Sequence, residues 1–160
     1  MHPNEEDHAS QPFSDSDDRV KIAQALASGA RDVALDRNPG FASIGARLID
    51  GYDASVRLRF TLPDAMSRGD GIAAGGPLTS CLDTAMVVAV LAKLRQGQTC
   101  TSITFTVNMV RPAMVGDLYA EATLDKAGRT VCFASARLFD ADQKLVATAS
   151  SANAVINLNK

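Results

Sequence analysis

Histidine is nearly missing from this 160-residue chain: there are two, His2 and His8, both close to the amino terminus. The segment that carries them, MHPNEEDHASQPFSDSDD, is rich in Asp and Glu and poor in apolar residues, so residues 1–16 are expected to form a disordered acidic tail. A folded part without imidazole argues against Ser-His-Asp and Cys-His catalysis, HExxH metallohydrolases and His-dependent metal sites. Its chemistry must then rest on carboxylates, hydroxyls, backbone amides or a bound cofactor.

Other absences narrow the field further. The longest apolar run, Ala85 to Ala92, is far short of the roughly 20 residues that cross a bilayer, so it reads as a core segment and no membrane partner is expected. The formal net charge is −2 and no block of five basic residues occurs, which argues against nucleic acid as a partner. Cys81, Cys100 and Cys132 are odd in number, lack CxxC spacing and follow no signal peptide, and so are expected to be reduced structural thiols in the cytoplasm.

The remaining sequence is strongly patterned. Val20, Ala23, Leu26, Ala27 and Ala30 recur at helical spacing behind Ser14 and Asp17, which resemble a capping box, and predict a helix over about 17–34. Asn38, Pro39 and Gly40 break this pattern, and Ile44, Ala46 and Leu48 then alternate as a short strand up to a turn at Asp50 and Gly51. Over 54–62, Val56, Leu58, Phe60 and Leu62 oppose Ser55, Arg57, Arg59 and Thr61, as in a half-buried antiparallel strand. Residues 63–76, with one proline and four glycines, form a loop, and 77–95 read as a helix with Pro77 in its first turn. That helix is apolar on both faces, so both must be covered. Strands follow over 101–109, 118–125, 129–139 and 144–156, with a hairpin at Lys126, Ala127 and Gly128. The order predicts an α+β fold, an antiparallel sheet of five to six strands around one long central helix, in a single domain over 17–160.

Asp83 is the one acidic residue between Gly71 and Ala92, one helical turn from Met86 and Val87. A carboxylate on that apolar face loses hydration unless it is paired, a setting suited to a general base; helix-dipole complementation or an exposed face are the competing readings. Gly75 and Gly76 lead into the helix, where free N–H groups can hold a developing oxyanion, or else simply form a tight turn.

Together these features resemble the hotdog-fold acyl-CoA thioesterases, in the phenylacetyl-CoA thioesterase branch. That family shows an Asn, a loop ending His-Gly-Gly, a helix with a catalytic Asp nine residues after the His, then an Arg-Pro or similar pair and a Gly-Asp turn. Here GGPLTSCLDTAM places Gly75, Gly76 and Asp83 on the glycines and the acid. NMVRPAMVGDLYAEA supplies Arg111, Pro112, Gly116 and Asp117, and KAGRTV and QKLVATAS match the later hairpins, over roughly residues 39–156 in all. The family His position is Ala74 here and the Asn position is Arg68.

The resemblance implies a hotdog fold whose subunits pair through their sheets as a homodimer, or as a dimer of dimers forming a homotetramer, with each site between two chains. It implies hydrolysis of an acyl-CoA thioester, with no metal and no cofactor beyond the coenzyme A of the substrate. Gly75 would polarise the carbonyl and Asp83 would activate water or attack directly. Ser102, matching a Ser or Thr that lies across the dimer interface in some members, would assist from the partner chain; an outward-facing strand hydroxyl is its competing reading. Gly76, Arg68, Arg111, Gly128 and Arg129 are substrate-binding candidates, the arginines either meeting coenzyme A phosphates or remaining solvated strand-end cations. The alternative prompted by Ala74 and Arg68 is a non-catalytic acyl-CoA-binding hotdog protein. A hydratase would need a His beside the acid, and a DNA-binding regulator more than the one helix that fits in 17–34.

Overall fold

Helix α1 (Asp17–Ser28) ends well short of residue 34, because Gly29 turns left-handed at φ +69° and the Ala30 N–H closes back on the Ala25 carbonyl at 3.0 Å. The computed structural model describes residues 17–158, so the tail over 1–16 and Ser14 of its cap lie outside the described residues. Strand β1 (Val33–Ala34) follows. The break at 38–40 is itself a helix start: Asn38 caps the five-residue α2 (Pro39–Ser43) by accepting from the Gly40 N–H at 2.8 Å. Buried Asp18 of α1 accepts from the Asn38 N–H at 2.7 Å, tying the amino-terminal helix to this turn.

Strands β2 (Arg47–Tyr52) and β3 (Ser55–Leu62) form a hairpin, and the expected inward set Val56, Leu58, Phe60 and Leu62 is buried. The long helix α3 (Gly75–Leu91) then lies on the sheet, packed against β3, β5, β6, β7 and β4. Its residues Leu78, Leu82, Ala85, Met86, Val88, Ala89 and Val90 are all buried, as a helix apolar on both faces requires. Strands β4 (Gln98–Met109), β5 (Gly116–Ala127), β6 (Val131–Phe139) and β7 (Leu145–Asn157) complete one antiparallel sheet in the order β1-β2-β3-β5-β6-β7-β4. Among the described residues there are seven strands, not five or six. The addition is β1, two residues paired with Leu48 and Arg47, too short for alternation to reveal.

The topology positions the site. The connection β3–α3–β4 carries the chain across the sheet to its far edge, where β4 pairs only with β7. This edge strand is open on both faces: Ile103 is 58%, Phe105 39% and Met109 49% exposed. Among the described residues, no helix is long and apolar enough to cross a membrane.

Candidate functional site

Helix α3 starts at Gly75 rather than at Pro77, with extended Ala74 before it and no side chain capping it. The Leu78 N–H reaches the Ala74 carbonyl at 3.4 Å, so the first-turn N–H groups of Gly75 and Gly76 are left without an intrahelical acceptor. The preceding loop holds this end in place: Ala73 N–H bonds Ala113 at 2.8 Å and Ala74 N–H bonds Met66 at 3.0 Å. Gly71, at φ +78°, passes so close to Met114 that a Cβ would lie 2.8 Å from the methionine methyl. No larger residue fits that turn without displacing Met114.

Two turns into the helix, Asp83 is half-buried. It lines a cavity of about 430 Å³ with Gly76, Pro77 and Ser80 of α3 and with Asn38, Phe41 and Ile44 around α2. Gly76, Ser80 and Asp83 recur at helical spacing, so one face of α3 forms a wall of the cavity. The carboxylate is neither fully desolvated nor unpartnered, because the Ser102 hydroxyl of β4 donates to its Oδ1 at 2.8 Å. Asp83 and Ser102 thus meet within one chain. The bulge in β4 between Ser102 and Thr104 turns this hydroxyl toward the helix. Behind Ser102, the buried Asn153 amide of β7 lies 3.3 Å from its Oγ and 2.8 Å from Ser151 Oγ. The neighbouring Cys100 thiol is pushed up to about 12 by burial, with smaller contributions from Cys132 and the Asp83 charge.

The other candidates divide into two groups. Gly128 and Arg129 sit in the β5–β6 hairpin and line a second cavity, of about 420 Å³, with Lys93, Leu94, Arg95 and Gln98 beyond the end of α3. Three cations and no carboxylate line it, an anion-attracting arrangement. Arg68 and Arg111 line neither cavity: Arg68 is exposed and ion-paired with Asp70 at 2.7 Å, and Arg111 is an exposed residue beyond β4. Lys93, Arg95, Ser80, Asn38 and Asn153 escaped the sequence reading. Ser80 could have been found from its i+4 spacing to Gly76, whereas the others depend on long-range packing.

Residues 70–147 match the sequence model of the thioesterase superfamily, a stretch from the loop before α3 into β7. Similar solved structures include a phenylacetic acid degradation-related protein from Ralstonia eutropha JMP134, described as a candidate thioesterase; it is 27% identical, with 83% of this chain and 98% of that one covered and a TM-score of 0.71. The E. coli PaaI protein from the phenylacetic acid degradation operon is 22% identical, with coverage of 90% and 97% and a TM-score of 0.69. A thioesterase from Haemophilus influenzae is 20% identical, with coverage of 74% and 83% and a TM-score of 0.69. No curated protein matches the chain. The expected resemblance to the hotdog-fold thioesterases is met by this family-model match and by the fold of these similar structures.

Proposed function

We propose that the protein hydrolyses an acyl-CoA thioester at a site shared by two copies of the chain, with the Gly75 N–H of one protomer and the Asp83–Ser102 pair of its partner. The observation that carries this reading is the Asp83 carboxylate, hydrogen-bonded by Ser102 and lining a cavity with Gly76.

Helix spacing argues for two chains. Gly75 and Asp83 are eight residues apart on α3, which separates them by about 12 Å along its axis. An oxyanion donor must lie about 3 Å from the carbonyl oxygen while the base reaches water attacking the same carbon. A single helix cannot offer both to one carbonyl. Strand β4 runs antiparallel to α3, with Met109 Cε 3.9 Å from where a Gly75 Cβ would sit and Ser102 at Asp83. A two-fold axis through the open edge of β4 near Phe105 and Thr106 lays Met109 of one chain against the partner's Ser102. The same operation sets Gly75 beside the partner's Asp83 and covers the apolar β4 edge.

In the reaction, water adds to the thioester carbon as its proton passes to Asp83, and the oxyanion rests on the Gly75 N–H. Collapse expels the CoA thiolate, which takes the proton back from Asp83 and leaves the free acid. Lys93, Arg95 and Arg129 suit the coenzyme A phosphates, and Gly128 keeps the hairpin tight enough to present Arg129. A non-catalytic acyl-CoA-binding role is the second reading, favoured by Ala74 and by an Arg68 already paired with Asp70.

Thiol release measured over short, long and aromatic acyl-CoAs tests the proposal. The wild type is expected to turn over at least one class, and Asp83→Asn to lose about 100-fold or more in kcat. Full activity in Asp83→Asn overturns the assignment, and tight binding without turnover across the panel supports the binding role.

A further inference from the structure

Asn153 is 0% exposed, in a sheet face otherwise built mainly of alanine and larger apolar residues. A buried amide without hydrogen bonds is destabilising, so its partners must account for its presence. They are Ser151, 2.8 Å away, and Ser102, 3.3 Å away, the latter directly across the β4–β7 ladder.

The Ser102 hydroxyl has one hydrogen, and it is donated to Asp83 Oδ1 at 2.8 Å. In the structure the Asn153 oxygen faces Ser102 while its Nδ2 donates to Ser151 Oγ, which sets two acceptors against each other at 3.3 Å. A side-chain amide has the same outline in either orientation, and its hydrogen bonds select between them. Turned with Nδ2 toward Ser102, each of the three contacts pairs one donor with one acceptor: Ser151 donates to the Asn153 oxygen, Asn153 donates to Ser102, and Ser102 donates to Asp83. We infer that Asn153 is a positioning residue, the buried middle member of a one-way donor chain that holds the Ser102 hydroxyl on Asp83 and thereby keeps the carboxylate oriented. This deepens the thioesterase reading and rests on it for its kinetic consequences.

A double-mutant cycle on the full chain tests the inference. Asn153→Leu is expected to lower kcat about tenfold, leave KM within about twofold, and cost less than about twofold more when Ser102 is already Ala. An equal loss in both backgrounds, or no loss in the wild-type background, overturns it. Should leucine at 153 prevent folding, Ser151→Ala removes only the outermost donor and is expected to cost about threefold, again vanishing in Ser102→Ala.

An activity-free readout separates this inference from the thioesterase reading. In a crystal structure of Asn153→Leu the Ser102 hydroxyl is expected to have turned away from Asp83 Oδ1, and a contact kept at 2.8 Å in that variant overturns the inference. A wild type that cleaves no acyl-CoA sinks the thioesterase reading while the structure of Asn153→Leu still decides the role of Asn153.

Discussion

At Gly128 the β5–β6 hairpin leaves no room for a side chain: a Cβ there would lie 2.0 Å from the Val131 carbonyl oxygen. Because that obstacle is backbone, no rotamer change relieves it. Gly128→Ala is therefore expected to lower unfolding free energy by about 2 kcal/mol or more in urea titrations, and to weaken CoA-ester binding as Arg129 shifts. The hairpin glycine was legible from the KAGRT turn, and Asp83 from its isolation in an apolar helix. Asn153 was not, because one polar residue in LVATASSANAVIN says nothing of Ser102 on another strand. Only the β4–β7 register sets the two opposite each other.

Among the elements, the hairpin of β2 and β3 and the segment before it are joined by acid–arginine pairs. Asp50 accepts from Arg57 and from Arg31, the latter at 2.7 Å, and Asp32, left-handed at φ 56°, accepts from Arg47 at 2.8 Å. The hydrogen bond from Arg57 is the main cause holding the Asp50 carboxyl below its ordinary 3.8, opposed by partial burial and aided by the charges of Arg57 and Arg31. A depressed folded value means that the contribution to stability is present above the unfolded value and is lost as pH falls through the folded one. Asp50→Asn is thus expected to cost on the order of 1 kcal/mol near neutral pH, screened by salt, and nothing once pH has fallen well below 3.8. Denaturant unfolding at several pH values checks this. Alternation revealed β3 and its inward face, whereas α1 was overextended because helical spacing of alanines continues past Gly29, whose left-handed turn overrides it.

On the scale of the whole molecule, a shared site predicts complementation between two inactive variants. Gly75→Pro removes the amide hydrogen at a helix position that tolerates proline, after an Ala74 whose extended backbone also accepts it. Mixed and reassociated with Asp83→Asn, it is expected to restore about a quarter of wild-type activity: half the dimers are mixed, and each has one intact site of two. Activity that stays at the level of the separate variants argues against a site between chains. Periodicity and composition determined the central helix, the strands that alternate, the lack of imidazole over residues 17–158 and the isolated acid, because these follow from which side chains can be buried and which backbones can turn. Tertiary structure alone decided that β4 lies at the sheet edge beyond β7, that Ser102 meets the Asp83 of its own chain, and that Lys93 and Arg95 join Arg129. Those placements depend on strand order, on a bulge and on packing between residues far apart in the chain, none of which leaves a local pattern to read.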